Sequence, residues 1–172
     1  MTRQNSSRTL LLIVVCIAAT VLITIGVLSA NGWLTPAPSR QAAVHEMGSN
    51  VMPFDLDKTT HIFEMNATGG IQQVIAQDPN DVQQIALIRQ HVEHEAMRFR
   101  AGDFSDPTAL HGGDMPGVQQ LAAGATQMTI EYSALPNGAQ ISFEMQDIQL
   151  ITAVHQWFGA QLSDHAQDAV SK

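Results

Sequence analysis

Alternating hydrophobic and polar positions predict two β-hairpins in this chain. Residues 60–66 and 71–76 alternate in this way on either side of a Thr-Gly-Gly turn. Residues 127–133 and 139–145 repeat the pattern around a Pro-Asn-Gly turn. Period-two alternation is typical of strands that bury one face, so the sequence predicts a four-stranded antiparallel sheet.

A helical pattern follows each hairpin. Apolar residues recur at steps of three and four over residues 79–101, with Asp78 as the expected N-cap and Pro79 at the first helical position. A second long helix is predicted after Asp147, and a short helix over residues 116–123 is predicted in the loop-rich connector. The order ββα, connector, ββα predicts an α+β fold in which both long helices pack on one face of the sheet.

An uncharged apolar run over residues 10–30 precedes these elements. It is long enough to cross a bilayer, because about 20 residues span a hydrocarbon core of about 30 Å. Arg3 and Arg8 stand before the run, and basic flanks stay on the cytoplasmic side. We therefore expect an uncleaved signal anchor in the inner membrane, with a cleaved signal peptide as the alternative.

Both alternatives export everything that follows the run, to the periplasm or to the outside of the cell. Pro, Gly, Ser and Asn are frequent between the run and the first hairpin, which is typical of a linker. The predicted regions are a cytoplasmic N-terminus (1–9), a transmembrane anchor (10–30), a flexible tether (31–51), an exported α+β domain (52–166) and a tail (167–172).

The exported part is acidic and lacks cysteine. All 16 acidic residues of the chain follow the apolar run, and the single cysteine, Cys16, lies within it. The acidic balance argues against nucleic-acid binding, which requires a basic surface. The absence of cysteine after Cys16 excludes disulfides and thiol catalysis in the exported part.

Seven histidines lie in the exported part, and the densest group is His91-Val92-Glu93-His94-Glu95. On a helix His91 and Glu95 are about 40° apart and His91 and His94 about 60° apart, so they can share a face. The metal hypothesis for zinc or copper uses His91, His94, Glu95 and His111 as ligands. The alternative is a solvated helix face with contacts between residues one turn apart. The spacing matches no zinc-protease signature.

A second group combines histidine with methionine. Imidazole and thioether ligands together favour copper, which suggests a second metal hypothesis. Met65 is also suited to the core, because Phe63 lies on the same strand face. The members of this group are His45, Met47, Met52, His61 and Met65.

Three functions follow from these residues. The first is a membrane-tethered periplasmic binding module for a transition metal or for a protein partner in the cell envelope. The second is a small enzyme that uses His91, Glu95 and His111 as acid–base groups. A deep pocket where these three converge favours the enzyme, and an exposed flat helix face favours a solvated surface. The third is a structural partner in an envelope complex.

A family resemblance rests on residues 52–61, 84–89, 102–104, 110–112, 115–117, 135–139, 155–158 and 164–165. Together they cover nearly the whole exported domain and resemble a family of small exported bacterial proteins without a settled role. Some members carry the label aspartate carbamoyltransferase, but this chain has no Ser-Thr-Arg-Thr phosphate loop, and its Thr59-Thr60 pair is not followed by arginine. We therefore expect no carbamoyltransferase activity. The family tail has Asp-His-Gly where this chain has Asp164-His165-Ala166.

Overall fold

The computed structural model of the chain describes residues 39–165 and 169–172, together with residues 17, 19–24 and 27. The chain divides into two compact units, Met1–Pro38 and Ser39–Lys172. The described residues of the first unit are helical. Within the described part of the chain, none of the helices combines the length and the apolar character needed to cross a membrane. The anchor predicted over residues 10–30 falls mostly outside the described residues.

The second unit combines one five-stranded sheet with several helices. Two short 3-10 turns, Leu56–Lys58 and Ala125–Gln127, precede β1 and β3. The main elements in chain order are α1 (Arg40–Val51), β1 (Thr59–Asn66), β2 (Gly69–Ala76), α2 (Val82–Arg100), α3 (Ser105–His111), α4 (Val118–Gly124), β3 (Thr129–Leu135), β4 (Gly138–Glu144), α5 (Ile148–His165) and β5 (Ala169–Ser171).

The sheet contains both predicted hairpins and one strand that was not predicted. Its strand order is β3-β4-β2-β1-β5, and β1–β2 and β3–β4 pair antiparallel as predicted. The hairpins join through antiparallel pairing of β2 with β4. Residues 169–171, predicted as part of the tail, form β5 and run parallel to β1. Three residues are too few to show an alternating pattern, so this strand leaves no signal in the sequence.

An aromatic core joins the sheet to α2 and α5. The ring of Phe143 on β4 lies 5.9 Å from that of Phe99 on α2 and 5.8 Å from that of Phe158 on α5, centroid to centroid. Trp157 of α5 is fully buried and meets Phe143 edge-on at 5.6 Å. His61 and Phe63 share the buried face of β1, because alternate residues of a strand point to the same side. The His61 side chain therefore lies in the protein interior.

The start of α2 differs from the prediction. The helix begins at Val82, and Asp81 is its N-cap, accepting a hydrogen bond from the Gln84 amide at 3.0 Å. Asp78, the predicted cap, instead accepts from the Asn80 amide at 2.9 Å within a turn. Aspartate stabilises both kinds of structure through the same side-chain acceptor, so the sequence alone does not separate them.

The predicted flexible tether, residues 31–51, is helical from Arg40 onward. Ser39 caps α1 by accepting a hydrogen bond from the Ala42 amide at 3.2 Å. Val44 and Gly48 form the buried side of α1, and the helix packs against α3 and α5. One valine and one glycine make too narrow an apolar stripe to be recognised in a sequence. Residues 31–38 lie outside the described residues.

The connector between the two hairpin units holds two helices. α3 occupies a region with the turn-like composition of a loop, and α4 begins at Val118 rather than at Pro116. Gly117 precedes α4 with a φ of +83°, and a Cβ atom there would lie 2.0 Å from the Ala153 carbonyl oxygen. Only glycine permits this approach, which brings α4 against α5.

Candidate active site

Polar side chains of the second unit converge on one cavity between the sheet and the helices. Its volume is about 40 Å³. On that scale about 10–15 Å³ holds one water molecule, so the cavity holds a few waters or a small ligand. The polar lining comes from β1, β2, α2, α3 and α5, and consists of His61, Gln72, His91, Glu95, Asp106, His111, Trp157, Gln161 and His165.

Local structure explains why these residues meet. His91 and Glu95 are one turn apart on α2, so their side chains lie on the same side of the helix. His111 and His165 are the last residues of α3 and α5, so two helix C-termini meet at the cavity. His61 is only 3% exposed and enters from the sheet.

Glu95 and Asp106 form a carboxyl pair on one side of the cavity. They share a hydrogen bond, and Arg98 donates to Asp106. Burial first, and then the neighbouring Asp106, raises the pKa of Glu95 to about 8. Burial would also raise the pKa of Asp106, but hydrogen bonds from Glu95 and Arg98 outweigh it and lower that pKa. At neutral pH the pair therefore holds one proton, and Glu95 carries it.

Arg98 joins this carboxyl pair to the loop after α2. It donates to Asp103 Oδ2 at 3.0 Å and to Ser105 Oγ, in addition to Asp106. These contacts hold the start of α3 against the end of α2. We call Glu95, Asp106 and Arg98 the acid cluster.

His91 lies beside the acid cluster and is uncharged at neutral pH. Burial lowers the pKa of His91 to about 4, although the nearby Asp106 acts in the opposite direction. The ring packs edge-on against Phe54, with ring centroids 5.5 Å apart. An uncharged imidazole at this position can accept a proton or a hydrogen bond.

His111 is held by a carboxylate on another side of the cavity. Its Nδ1 lies 2.9 Å from Asp164 Oδ2, and both side chains are buried. Arg40 donates to the two Asp164 oxygens at 2.5 and 2.7 Å and to the His111 carbonyl oxygen at 2.8 Å. Burial lowers the pKa of His111, and the hydrogen bond and charge of Asp164 oppose this effect only in part. We call His111, Asp164 and Arg40 the clamp.

Three imidazole rings are in contact next to the clamp. His165 stacks on His61 with a centroid distance of 5.1 Å and an interplanar angle of 16°. The same ring meets His111 nearly edge-on at 5.0 Å. The described residues nevertheless contain no group of three or more His, Cys, Asp or Glu arranged to hold a metal ion.

Several buried polar atoms of the cavity wall make no hydrogen bond within the described structure. An unsatisfied buried polar atom costs about 1–3 kcal/mol and is uncommon in proteins, so several around one cavity indicate a surface built to bind a polar molecule. Glu95, Gln161 and Trp157 are at most 7% exposed. These atoms are Gln72 Oε1, Glu95 Oε1, Trp157 Nε1 and Gln161 Oε1.

The structure brings together only part of the residues proposed as metal ligands. His91, Glu95, His111 and His61 line the cavity. His94 does not line the cavity, because it lies on the exposed side of α2. His45 is also outside the cavity wall, and its Nε2 lies 3.5 Å from Asp57 Oδ1. Neither group of residues predicted to bind a metal is therefore brought together as a whole.

Four important residues of the site were missing from the sequence hypotheses. Asp106 lies in the loop-rich connector, and Arg40 lies in the predicted tether. Asp164 and His165 were named only as part of the tail that resembles the family tail. The signal for Asp164 was weak because its partners His111 and Arg40 are 53 and 124 residues away.

Compared with known proteins, the chain matches no family model, and no curated protein sequence or solved structure matches it. The family resemblance suggested by the sequence stays a prediction.

Proposed function

We propose that the second unit is a small acid–base enzyme that moves a proton on a small, uncharged carbonyl compound. The observation that carries the proposal is the convergence of His91, Glu95 and His111 on one buried cavity. This is the arrangement expected of an enzyme rather than of a solvated helix face. The unsatisfied polar atoms of the cavity wall support the binding of a polar substrate.

The acid and the base have opposite protonation states at neutral pH. Glu95, with a pKa of about 8, retains its proton and serves as the general acid. His111 is neutral, and its Nδ1 is engaged by Asp164, so Nε2 carries the free electron pair of a general base. Environments that separate two pKa values in this way are characteristic of acid–base sites.

In the proposed reaction, His111 Nε2 removes a proton from the carbon next to the substrate carbonyl. The electrons of the broken C–H bond form a C=C bond, and the carbonyl oxygen takes the proton of Glu95. Asp164 stabilises the imidazolium, and burial together with Asp106 makes the Glu95 carboxylate a stronger base than an ordinary carboxylate. Glu95 then recovers its proton from the oxygen, and His111 returns a proton to carbon.

The charges around the cavity favour an uncharged substrate. Arg98 pairs with Asp106 and Asp103, and Arg40 pairs with Asp164. Glu95, His91 and His111 are neutral at pH 7. The cavity wall, as far as the structure describes it, contains no Ser, Thr, Cys or Lys, and the proposed step uses proton transfer alone.

The proposed location is the outer face of the inner membrane, in the periplasm or outside the cell. Residues 10–30 act as the anchor in this proposal, because they form the uncharged apolar run preceded by Arg3 and Arg8. Detection of the chain in washed membranes, with a protease-accessible C-terminal domain in spheroplasts, tests this location. Recovery of the whole chain in the cytosol contradicts it.

Hydrogen–deuterium exchange tests the proposed chemistry without a known substrate. The full chain in detergent micelles is incubated in D₂O with acetone, hydroxyacetone, glyceraldehyde or pyruvaldehyde, and loss of the α-hydrogen signal is followed by proton NMR. We expect enzyme-catalysed exchange on at least one compound. His111→Gln and Glu95→Gln should each slow it about 10²–10⁴-fold, the usual contribution of a general acid or base.

His94→Gln is the matched control, because His94 is on the same helix but exposed and outside the cavity wall. It should exchange at the rate of the unmodified protein. Exchange no faster than in the His111→Gln variant for every compound contradicts the proposal, and so does an equal loss in the His94→Gln variant.

Transition-metal binding is the second candidate. It is favoured by the contacts among His61, His165 and His111 and by the Asp164 carboxylate behind His111, an arrangement common behind metal-bound histidines. A metal would require these rings to turn, since they are not arranged as a ligand group in the described structure. Calorimetric titration with zinc, copper(II) and copper(I) tests it. Binding weaker than about 10 µM for all three excludes this candidate.

A further inference from the structure

We propose that Asp164 and Arg40 are positioning residues that select the tautomer of His111 and hold its Nε2 available to the cavity. The inference deepens the proposed acid–base function and rests on it for its catalytic meaning. Neither residue belongs to the wall of the cavity, so each acts through His111.

Asp164 selects the tautomer because of its contact with a single ring nitrogen. A neutral imidazole has one N–H group, and a carboxylate can only accept a hydrogen bond. The distance of 2.9 Å between His111 Nδ1 and Asp164 Oδ2 therefore places the hydrogen on Nδ1. Nε2 then keeps its electron pair, which a base requires. His111 is 4% exposed and Asp164 5%, so water does not compete effectively for this bond.

Arg40 fixes the carboxylate in turn. Its guanidinium reaches both Asp164 oxygens and also the main-chain oxygen of His111, at distances between 2.5 and 2.8 Å. One side chain of α1 thereby connects the ends of α3 and α5. Burial alone would raise the pKa of Asp164, but Arg40 and His111 outweigh burial and keep this carboxyl ionised at neutral pH. The three residues form one ordered chain from the surface to the cavity.

Other charged and titratable groups also surround His111. His165 on α5 touches its ring, and His61 on β1 stacks behind His165. Asp114, in the loop after α3, acts on Arg40. His91, Glu95 and Asp106 line the same cavity from α2 and α3. None of these groups is changed in the variants below, so differences among the variants report on the clamp.

Nitrogen NMR of the full chain in detergent micelles, labelled with ¹⁵N-histidine, tests the inference without a substrate. In the unmodified protein we expect His111 as the neutral tautomer with hydrogen on Nδ1. Asp164→Asn removes the charge that raises the pKa of His111, so the pKa should fall further. Arg40→Ala removes a positive charge that lowers it, so the pKa should rise.

These opposite directions separate positioning from a purely structural role. If both residues only supported packing, either variant would admit water and move the pKa of His111 upward, toward the ordinary value of 6.5. Arg40→Lys keeps the charge and should stay closer to the unmodified protein than Arg40→Ala. Arg89→Ala is the matched control, because Arg89 also donates three hydrogen bonds, but from α2 to main-chain oxygens at the β3–β4 turn.

Catalytic consequences are measured in the same deuterium-exchange assay. Asp164→Asn should slow exchange by up to about 10⁴-fold, the effect of losing the carboxylate that fixes the tautomer of a catalytic histidine, and Arg89→Ala should not. If exchange is absent throughout while the NMR directions are opposite, the proposed function is contradicted and the positioning role is upheld. The positioning role is overturned if the pKa of His111 shifts in the same direction in Asp164→Asn and Arg40→Ala. It is also overturned if the unmodified protein carries the hydrogen on Nε2. If Asp164→Asn fails to fold, the tautomer of His111 in the unmodified protein still tests the inference, because hydrogen on Nε2 would overturn it.

Discussion

The acid cluster and the clamp border the same cavity, but the fold assembles them in different ways. Glu95, Arg98 and Asp106 lie within one helix and the start of the next, so a short chain segment brings them together. His111 and Asp164 with Arg40 come from three helices spread over most of the second unit. The first cluster depends on local helix geometry, and the second depends on the complete tertiary structure.

This difference separates two tasks of the proposed acid–base site. The acid cluster keeps a proton on Glu95 through burial and, after it, a neighbouring carboxylate. The clamp keeps a proton off His111 Nε2 through a hydrogen bond at the other nitrogen. A loosened tertiary structure should therefore separate the clamp before the acid cluster, because only the clamp is assembled from distant helices.

The largest expected effect is that of Trp157→Ala, which should destabilise the core that supports both clusters. Trp157 is fully buried and meets Phe99, Phe104 and Phe143 edge-on. Truncating a buried aromatic residue costs about 3–5 kcal/mol, so we expect a free energy of unfolding lower by that amount in urea titrations. Trp157→Phe should lose clearly less. A loss below about 1 kcal/mol in Trp157→Ala contradicts the described core.

The pH dependence of stability should expose the acid cluster next. Between pH 4.5 and 8 the folded state retains the Glu95 proton and the unfolded state loses it, so this contribution to stability falls as pH rises. The pKa of His91 is lowered to about 4 from 6.5, so its contribution rises with pH between these values. His111 acts in the same direction as His91. Below pH 6.5 the Glu95 and histidine contributions to the pH dependence of stability oppose each other. Above pH 6.5 the Glu95 contribution dominates.

We therefore expect the free energy of unfolding to fall from pH 6.5 to 8 by up to about 1.4 kcal/mol per pH unit. Urea titrations at a series of pH values measure this slope. Glu95→Gln should abolish the fall, and His91→Gln should extend it to lower pH. A fall of equal size in the Glu95→Gln variant would show that another group causes it.

A smaller change should result from Asp106→Asn, which acts within the acid cluster alone. The hydrogen bond and the charge of Asp106 both raise the pKa of Glu95, so the variant should titrate Glu95 at a lower pH. Carbon NMR of the labelled glutamate carboxyl carbons measures this shift. His111 should keep its tautomer, since Asp106 makes no contact with the clamp among the hydrogen bonds described. A change of the His111 tautomer would contradict the independence of the two clusters.

The smallest effect should come from His94→Gln at the exposed face of α2. Exposed substitutions away from special features usually change stability by less than about 0.5 kcal/mol. The variant should unfold at the same urea concentration as the unmodified protein and retain its exchange rate. A larger loss would restore His94 to the list of functional candidates.

Much of the sheet and of the long helices was predictable because their signals are periodic and local. The two hairpins alternate over seven or eight residues, and α2 repeats its apolar stripe over several turns. α1 and β5 were missed for the opposite reason. α1 buries mainly Val44 and Gly48, and β5 is three residues long, so neither carries a repeating pattern.

The site residues likewise divide into those that the sequence could predict and those that it could not. His91 and Glu95 could be paired from helix geometry, and His111 could be proposed because it lies in a loop-like segment rich in turn residues. The burial of Glu95 was not predicted, because the extent to which α3 covers α2 depends on Arg98, Asp103 and Asp106. Asp164 and Arg40 were beyond sequence reasoning, since no local rule connects residues 124 positions apart.

The position of α1 and β5 has a practical consequence for protein production. A fragment trimmed to residues 52–166, the boundaries that the sequence suggests, would lack Arg40 and the strand that pairs with His61 through Ala169. Such a fragment would keep the acid cluster but would expose Asp164 and one sheet edge to solvent. Expression vectors should therefore encode residues 39–172, and an affinity tag belongs before Ser39 rather than directly after β5.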